Sequence, residues 1–167
     1  MFRTLLLLAV TAFLFTGCKD AAKEKRRADL RALMHGNTDD PDLRAASEKA
    51  RATVGEFLAA LQKPAPNQRQ FMVRMAFPAK DGKQQILWVT DITFDGTLIH
   101  GRVDDNTSQP GSGLAKDGKV SFPPAEIADW MFNEDGKAVG GYQLRALKKK
   151  MTEEEWGKIA RQITFKE

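Results

Sequence analysis

Asp91, Glu126, Asp129 and Arg145 form the polar set whose types are best suited to acid–base chemistry. Two carboxylates in one site can share proton transfer, one as acid and one as base. Glu126, however, falls in the first turn of a short helix expected to open at Pro123-Pro124, where the helix dipole favours negative charge. An ion pair between Asp129 and Arg145, fastening that helix to the sheet, accounts for two more of the four without catalysis. The set is therefore expected to be a structural or binding polar cluster, and no catalytic residue is assigned.

The other reactive side chains give no stronger arrangement. His35 lies in a polar stretch, and His100, between Ile99 and Gly101, alternates along an expected strand as a partly buried structural residue. Ser108, Ser112 and Ser121 lack the strand–turn–helix context of a nucleophile elbow. Asp39, Asp40 and Asp42 lack the spacing and the glycine of a calcium loop, and are better explained as helix-start residues. Gly140-Gly141 suits a turn of positive φ, with no lysine or serine after it at phosphate-loop spacing. No metal and no cofactor is expected.

Cys18 is the single cysteine, so it has no disulfide partner within the chain. Arg3, the apolar run Leu5 to Phe15, and the small residues Thr16 and Gly17 before the thiol have the layout of a secretory signal. The run is shorter than the ~20 apolar residues a spanning helix needs. The arrangement resembles the bacterial lipoprotein signal. That resemblance implies a diacylglycerol thioether on Cys18, cleavage before it, and acylation of the new amine by a chain such as palmitate. At ~0.8 kcal/mol per buried methylene, three acyl chains would make a lasting anchor. Lys19 stands where inner-membrane retention signals carry Asp, so the same resemblance favours the periplasmic face of the outer membrane over the inner membrane.

Cleavage before Cys18 would leave 150 of the 167 residues, enough for one domain and a tether. It removes one of 26 basic side chains and none of 22 acidic ones, leaving a net charge of +3. The basic clusters Lys23 to Arg27 and Lys148-Lys149-Lys150 carry no interleaved aromatics, which argues against nucleic-acid binding. Residues 1–17 read as the signal peptide, 18–38 as the tether, 39–63 as an amphipathic helix, and 67–167 as the main domain.

The elements that must position the polar residues follow from periodicity. Asp39-Asp40-Pro41 is a helix start, and Ala46, Ala50, Val54, Phe57, Leu58 and Leu61 recur at helical spacing until Pro64. Phe71, Val73, Met75 and Phe77 alternate as a strand, and Ile86 to Phe94 is dense in β-branched and aromatic residues. Asp95-Gly96 is the strongest two-residue hairpin signal, leading to a strand from Thr97 to Val103. After a polar loop over 104–118 come a short strand at Val120 and Phe122, a short helix carrying Ile127, Trp130 and Met131, and a last strand from Tyr142 to Leu147. Thr152-Glu153-Glu154-Glu155 has the capping-box pattern. The expectation is an α+β fold: an antiparallel sheet of about five strands with a long N-terminal helix, a short inserted helix and a C-terminal helix.

Several segments together carry a family resemblance. They are Phe71-x-Val73-x-Met75-x-Phe77, Trp88-Val89-x-Asp91-Ile92, the run from Gly118 to Phe122, Glu126 to Met131, Asp135-Gly136-Lys137, and Gly140-Gly141-Tyr142-x-Leu144-Arg145-x-Leu147. With these the chain resembles the YegJ-like bacterial domain, domain of unknown function 2314, carried here on a lipoprotein. The resemblance implies no particular chemistry. Anchor, tether and domain point to a non-enzymatic, lipid-anchored periplasmic binding domain with an envelope protein partner, in its narrower form an immunity or inhibitor lipoprotein. The alternatives are an envelope-polymer hydrolase using Asp91, Glu126 or Asp129, and an envelope assembly factor that docks through the helix over 40–62.

Overall fold

The helix start at Asp40 is made as the sequence requires: its carboxylate accepts the amides of Asp42 and Leu43 at 3.0 and 3.2 Å, with Pro41 in the first turn. The computed structural model describes residues 21–26, 28, 29, 34, 40–78, 84–103 and 118–167. Cys18, His35, Asp39, Ser108, Ser112 and most of the 104–118 loop lie outside the described residues. The expected single helix is two, α1 (Pro41–Ala52) and α2 (Val54–Gln62), divided at Thr53. The Ala50 carbonyl, which a continuous helix would offer to the Val54 amide, accepts the Trp130 indole N–H at 3.0 Å instead. The Thr53 hydroxyl bonds back to the Lys49 carbonyl at 2.9 Å, a pairing that competes with the helical ladder.

The strands are β1 (Gln68–Pro78), β2 (Gln84–Phe94), β3 (Ile99–Val103), β4 (Lys119–Phe122), β5 (Ile127–Glu134) and β6 (Lys137–Gly140). They form one six-stranded sheet in the order β4-β3-β2-β1-β5-β6, with each neighbouring pair antiparallel. Two assignments from the sequence are corrected here. Pro123-Pro124 opens only a single 3-10 turn at Pro124–Glu126, and the expected short helix after it is strand β5. Conversely, the expected last strand is α3 (Tyr142–Lys148), because Gly140 and Gly141 at φ +81° and +66° swing the chain out of β6, and Leu144 and Leu147 then bury at helical spacing.

The two-residue hairpin also moves. Asp135 and Gly136 both have positive φ, +53° and +80°, as a type I′ turn demands, and they join β5 to β6. Asp95-Gly96 instead begins a four-residue loop closed by the Phe94–Ile99 pair, in which the Asp95 carboxylate accepts the Thr97 and Leu98 amides at 2.8 and 2.7 Å. The expected capping box is present at α4 (Glu153–Ala160), with Thr152 and Glu155 exchanging amide bonds at 2.8 and 3.2 Å.

Each face of the sheet carries its own apolar cluster. Phe57 of α2 packs with Val73, Val89, Trp130 and Phe132, while Leu43, Leu144 and Leu147 cover Trp88 and Met131. Helix α1 contributes Leu43 to one cluster and Ala50 to the other, so it joins the two layers. The outer edge of β6 is closed by the C-terminal segment: the Ala138 amide donates to the Thr164 carbonyl and its carbonyl accepts the Lys166 amide, at 2.7 and 2.9 Å. Arg26 of the helical segment 21–26 reaches α4, donating to the Glu155 carboxylate at 3.1 and 3.2 Å and to the Lys150 carbonyl at 3.2 Å.

Candidate functional site

Asp129 is fully buried, and its surroundings explain why. Helix α3 has Gly141 at its N-cap, with no side chain to receive the first amides, and such amides need acceptors. The carboxylate of β5 supplies them from another element, accepting Tyr142 N–H at 3.0 Å and Gln143 N–H at 2.9 Å, along with the Trp130 amide at 2.9 Å. Negative charge at a helix N-terminus is also favoured by the dipole. Burial pushes the Asp129 carboxyl up to about 6, against the opposing pull of the Gln143 amide and the Arg74 charge.

Arg74 is the cross-strand partner of Asp129 and is itself 4% exposed. Its guanidinium lies over the Trp88 ring, 5.3 Å from the centroid. One terminal nitrogen donates to the Gln143 side-chain oxygen at 2.9 Å and the other to the Met34 carbonyl. The Gln143 amide nitrogen donates to the Ser47 hydroxyl at 2.8 Å, which donates to the Leu43 carbonyl at 3.0 Å. A polar line thus runs through the packed layer from β1 to α3 to α1. Burial lowers Arg74 to about 10, Asp129 partly opposes this, and the guanidinium stays charged at neutral pH. Among the described residues the Nε of Arg74 has no hydrogen-bond partner although it is buried, which leaves this network under-satisfied at one atom.

Beside this network lies a cleft of about 170 Å³ between α1 and the sheet. Ala76, Ile86 and Ile127 line it with apolar surface, Ser47 and Gln143 with polar groups, and Arg44, Arg51 and Glu126 are the charged residues on it. Arg44 and Arg51 stand two helical turns apart on α1 and so face the same side. Arg51 donates to the Ile127 carbonyl at 3.1 Å, and the Arg44 side chain makes no hydrogen bond or ion pair among the described residues.

The four polar residues picked from the sequence do not form one site. No hydrogen bond or ion pair among the described residues joins any two of them. Asp91 is exposed at φ +52°, where β2 bulges between Thr90 and Thr93. Glu126 is exposed beside the cleft. Arg145 does not pair with Asp129: it donates to the Gly140 and Lys166 carbonyls at 3.0 and 2.8 Å and lies 4.2 Å from the Phe165 ring centroid. Helical geometry at 142–148 turns Arg145 towards the C-terminal segment, while sheet register brings Arg74 to Asp129. The mid-strand arginine on the face opposite Phe71, Val73 and Phe77 was the sequence signal for that partner. A double-mutant cycle between Asp129→Asn and Arg145→Gln is therefore expected to be additive within about 0.5 kcal/mol. Denaturant unfolding checks this, and coupling above ~1 kcal/mol would contradict the assignment.

A second polar line was not expected. His100 is half-buried on β3, and its Nε2 lies 2.8 Å from the Asp95 carboxylate and its Nδ1 2.8 Å from the Ser121 hydroxyl. The Leu98 amide, then His100 and the Thr97 amide, hold the Asp95 carboxyl down at about 2. Sequence spacing hid this line because Ser121 meets His100 through the β3–β4 register, across the intervening loop. Among the described residues no group of three His, Cys, Asp or Glu side chains is placed to hold a metal ion, and no helix is long and apolar enough to cross a membrane.

An antiparallel sheet with helices against both faces, and a cross-strand arginine and aspartate buried beneath one of them, defines a two-faced α+β domain. The chain belongs to the family described as an uncharacterized protein conserved in bacteria, DUF2314, whose model matches residues 40–165. The match takes in α1, the cleft and the closing segment as well as the sheet. A relative from Neisseria meningitidis serogroup B, named a putative ankyrin repeat protein, is 35% identical over 89 residues, covering 50% of this chain and 34% of that one. The chain thus spans about a third of the length of that relative. No solved structure matches the chain.

Proposed function

We propose that this protein is a lipid-anchored domain of the bacterial envelope, held by acyl chains at Cys18, that binds a protein partner through the cleft between α1 and the sheet. The observation that carries the binding reading is the charge arrangement there: Arg44 and Arg51 on one side of α1, above an apolar floor. That combination suits an extended segment bearing carboxylates and an apolar side chain, since guanidinium groups recognise carboxylates bidentately. The Arg74–Gln143–Ser47 line fixes the cleft walls, so little ordering is needed on binding. The apolar run before the lone Cys18 supports the anchor, and Lys19 supports the outer membrane's periplasmic face. The ankyrin repeats named in the relative add weaker support, because repeat stacks present extended binding surfaces. An immunity or inhibitor role is the narrower form of this reading, with a periplasmic toxin or hydrolase as the partner.

Two measurements test it separately. Cys18→Ser is expected to leave an unprocessed precursor or release the protein from membranes, while the wild type carries a lipid mass on a mature N-terminus at Cys18. A mature N-terminus elsewhere, without lipid, would remove the anchor from the proposal. The paired variant Arg44→Glu with Arg51→Gln, in which the glutamine amide can still donate to the Ile127 carbonyl, is expected to lose at least tenfold in retention of the cross-linked envelope partner while circular dichroism shows the fold intact. Unchanged retention would remove the cleft.

A further inference from the structure

Ile86 floors the cleft near one end of β2; about seven residues further along, or roughly 23 Å at strand rise, Thr93 pairs with His100. We propose that Ser121 is an activated nucleophile there, with His100 as its base and Asp95 orienting the imidazole, and that this site cleaves small esters presented at the open face of the sheet. This goes beyond the binding reading and does not depend on it.

The hydrogen bonds have a definite direction. An ionised carboxylate only accepts, so the His100 Nε2 facing Asp95 must carry the proton in the neutral ring. The Nδ1 then has a free lone pair and takes the hydrogen of the Ser121 hydroxyl. Nucleophile, base and orienting carboxylate are in the contact order that activated serines require, at 2.8 Å for each step. Each member is also held rigidly. His100 and Ser121 are opposite one another in the β3–β4 register, and the second carboxylate oxygen of Asp95 is fixed by the Thr97 and Leu98 amides. Strand pairing already sets the hairpin, so the line is not needed to define it.

Access suits the same chemistry. The His100 and Asp95 side chains are 40% and 49% exposed, and Ser121 is exposed.

In the reaction, Ser121 Oγ bonds to the ester carbonyl carbon while its proton passes to His100 Nδ1, and Asp95 stabilises the resulting imidazolium. The tetrahedral adduct collapses, the bond to the alcohol oxygen breaks, and the imidazolium proton goes to that departing oxygen. Water then attacks the acyl-serine, giving its proton to Nδ1; Oγ recovers a proton as the carboxylic acid leaves.

The full chain treated with a fluorophosphonate probe and then peptide-mapped tests the assignment. The expected result is one adduct, on Ser121, absent in Ser121→Ala. His100→Gln should slow its formation at least a hundredfold, within the range for loss of a general base. Asp95→Asn keeps an oxygen for the Thr97 and Leu98 amides, but its NH2 donates to Nε2, which turns the Nδ1 proton towards Ser121 and should slow labelling with the fold intact by circular dichroism. 4-Nitrophenyl acetate hydrolysis should fall in the same order across the three variants. Labelling no faster than in the urea-unfolded chain, adducts spread over several serines, or a wild-type rate in folded His100→Gln would each overturn the proposal.

Discussion

Asp129→Ala is expected to destabilise the domain by about 3–5 kcal/mol, since several amides would lose their acceptor at ~1–3 kcal/mol each. The loss has two sources. Three amides that now end on the carboxylate, those of Trp130, Tyr142 and Gln143, would be left buried without acceptors, and such orphaned groups are costly. Arg74, 4% exposed, would also keep its charge with no anion facing it. The pH dependence has a definite sign. The Asp129 carboxyl lies at about 6 in the folded chain and 3.8 unfolded, so between these values the folded protein binds the extra proton. The stability linked to that proton is fully present below about pH 4 and is lost as pH rises through 6. Urea unfolding over pH 4 to 7 should show this decline in the wild type and a flatter profile in Asp129→Asn. A wild type whose stability rises through that window relative to the variant would contradict the assignment.

Trp130→Ala is the second large effect, expected at about 3–5 kcal/mol. The ring is 1% exposed and packs on Phe57, Phe132 and Tyr142 at centroid distances of 5.5, 6.0 and 5.6 Å. Its indole nitrogen holds the Ala50 carbonyl, so truncation removes both aromatic packing and the contact that divides α1 from α2. Trp130→Phe would separate the two, keeping most of the packing while freeing that carbonyl. Gly140 shows how close the fit is: a Cβ there would come within 2.6 and 2.7 Å of the indole ring. Guanidinium unfolding checks the prediction. Unchanged stability together with lost partner capture would make Trp130 a recognition residue instead of a core one.

Local signals were legible in the sequence. The cap at Asp40, the capping box at Thr152, the alternation through Phe71 to Phe77 and the core position of Trp130 all depend on neighbours a few residues away. The errors have a common physical origin. Strand β5 is buried on both faces from Ile127 to Trp130, so its apolar residues run together and lose the period of two. Helix α3 is seven residues long, too short to declare itself by periodicity, and its cap comes from β5. Both mistakes carried into the site, since they put Arg145 in place of Arg74 as the partner of Asp129. The polar residues Ser47 and Gln143 gave no sign of burial, because nothing local distinguishes a satisfied core glutamine from a surface one. The link between His100 and Ser121 required a strand register that no turn signal fixes.

The closing segment at β6 bears on how copies of this chain can meet. An uncovered strand edge is a template on which a second molecule can continue the sheet, and repeated addition gives fibres. Here the Ala138 amide and carbonyl are already engaged by Thr164 and Lys166. Arg145 clasps the same segment through the Lys166 carbonyl and the Phe165 ring. A neighbour must first peel those residues away before it can pair with β6. The segment thus acts as a built-in guard against polymerisation at that edge, and weakening the Arg145 clasp would open the way to strand exchange between molecules.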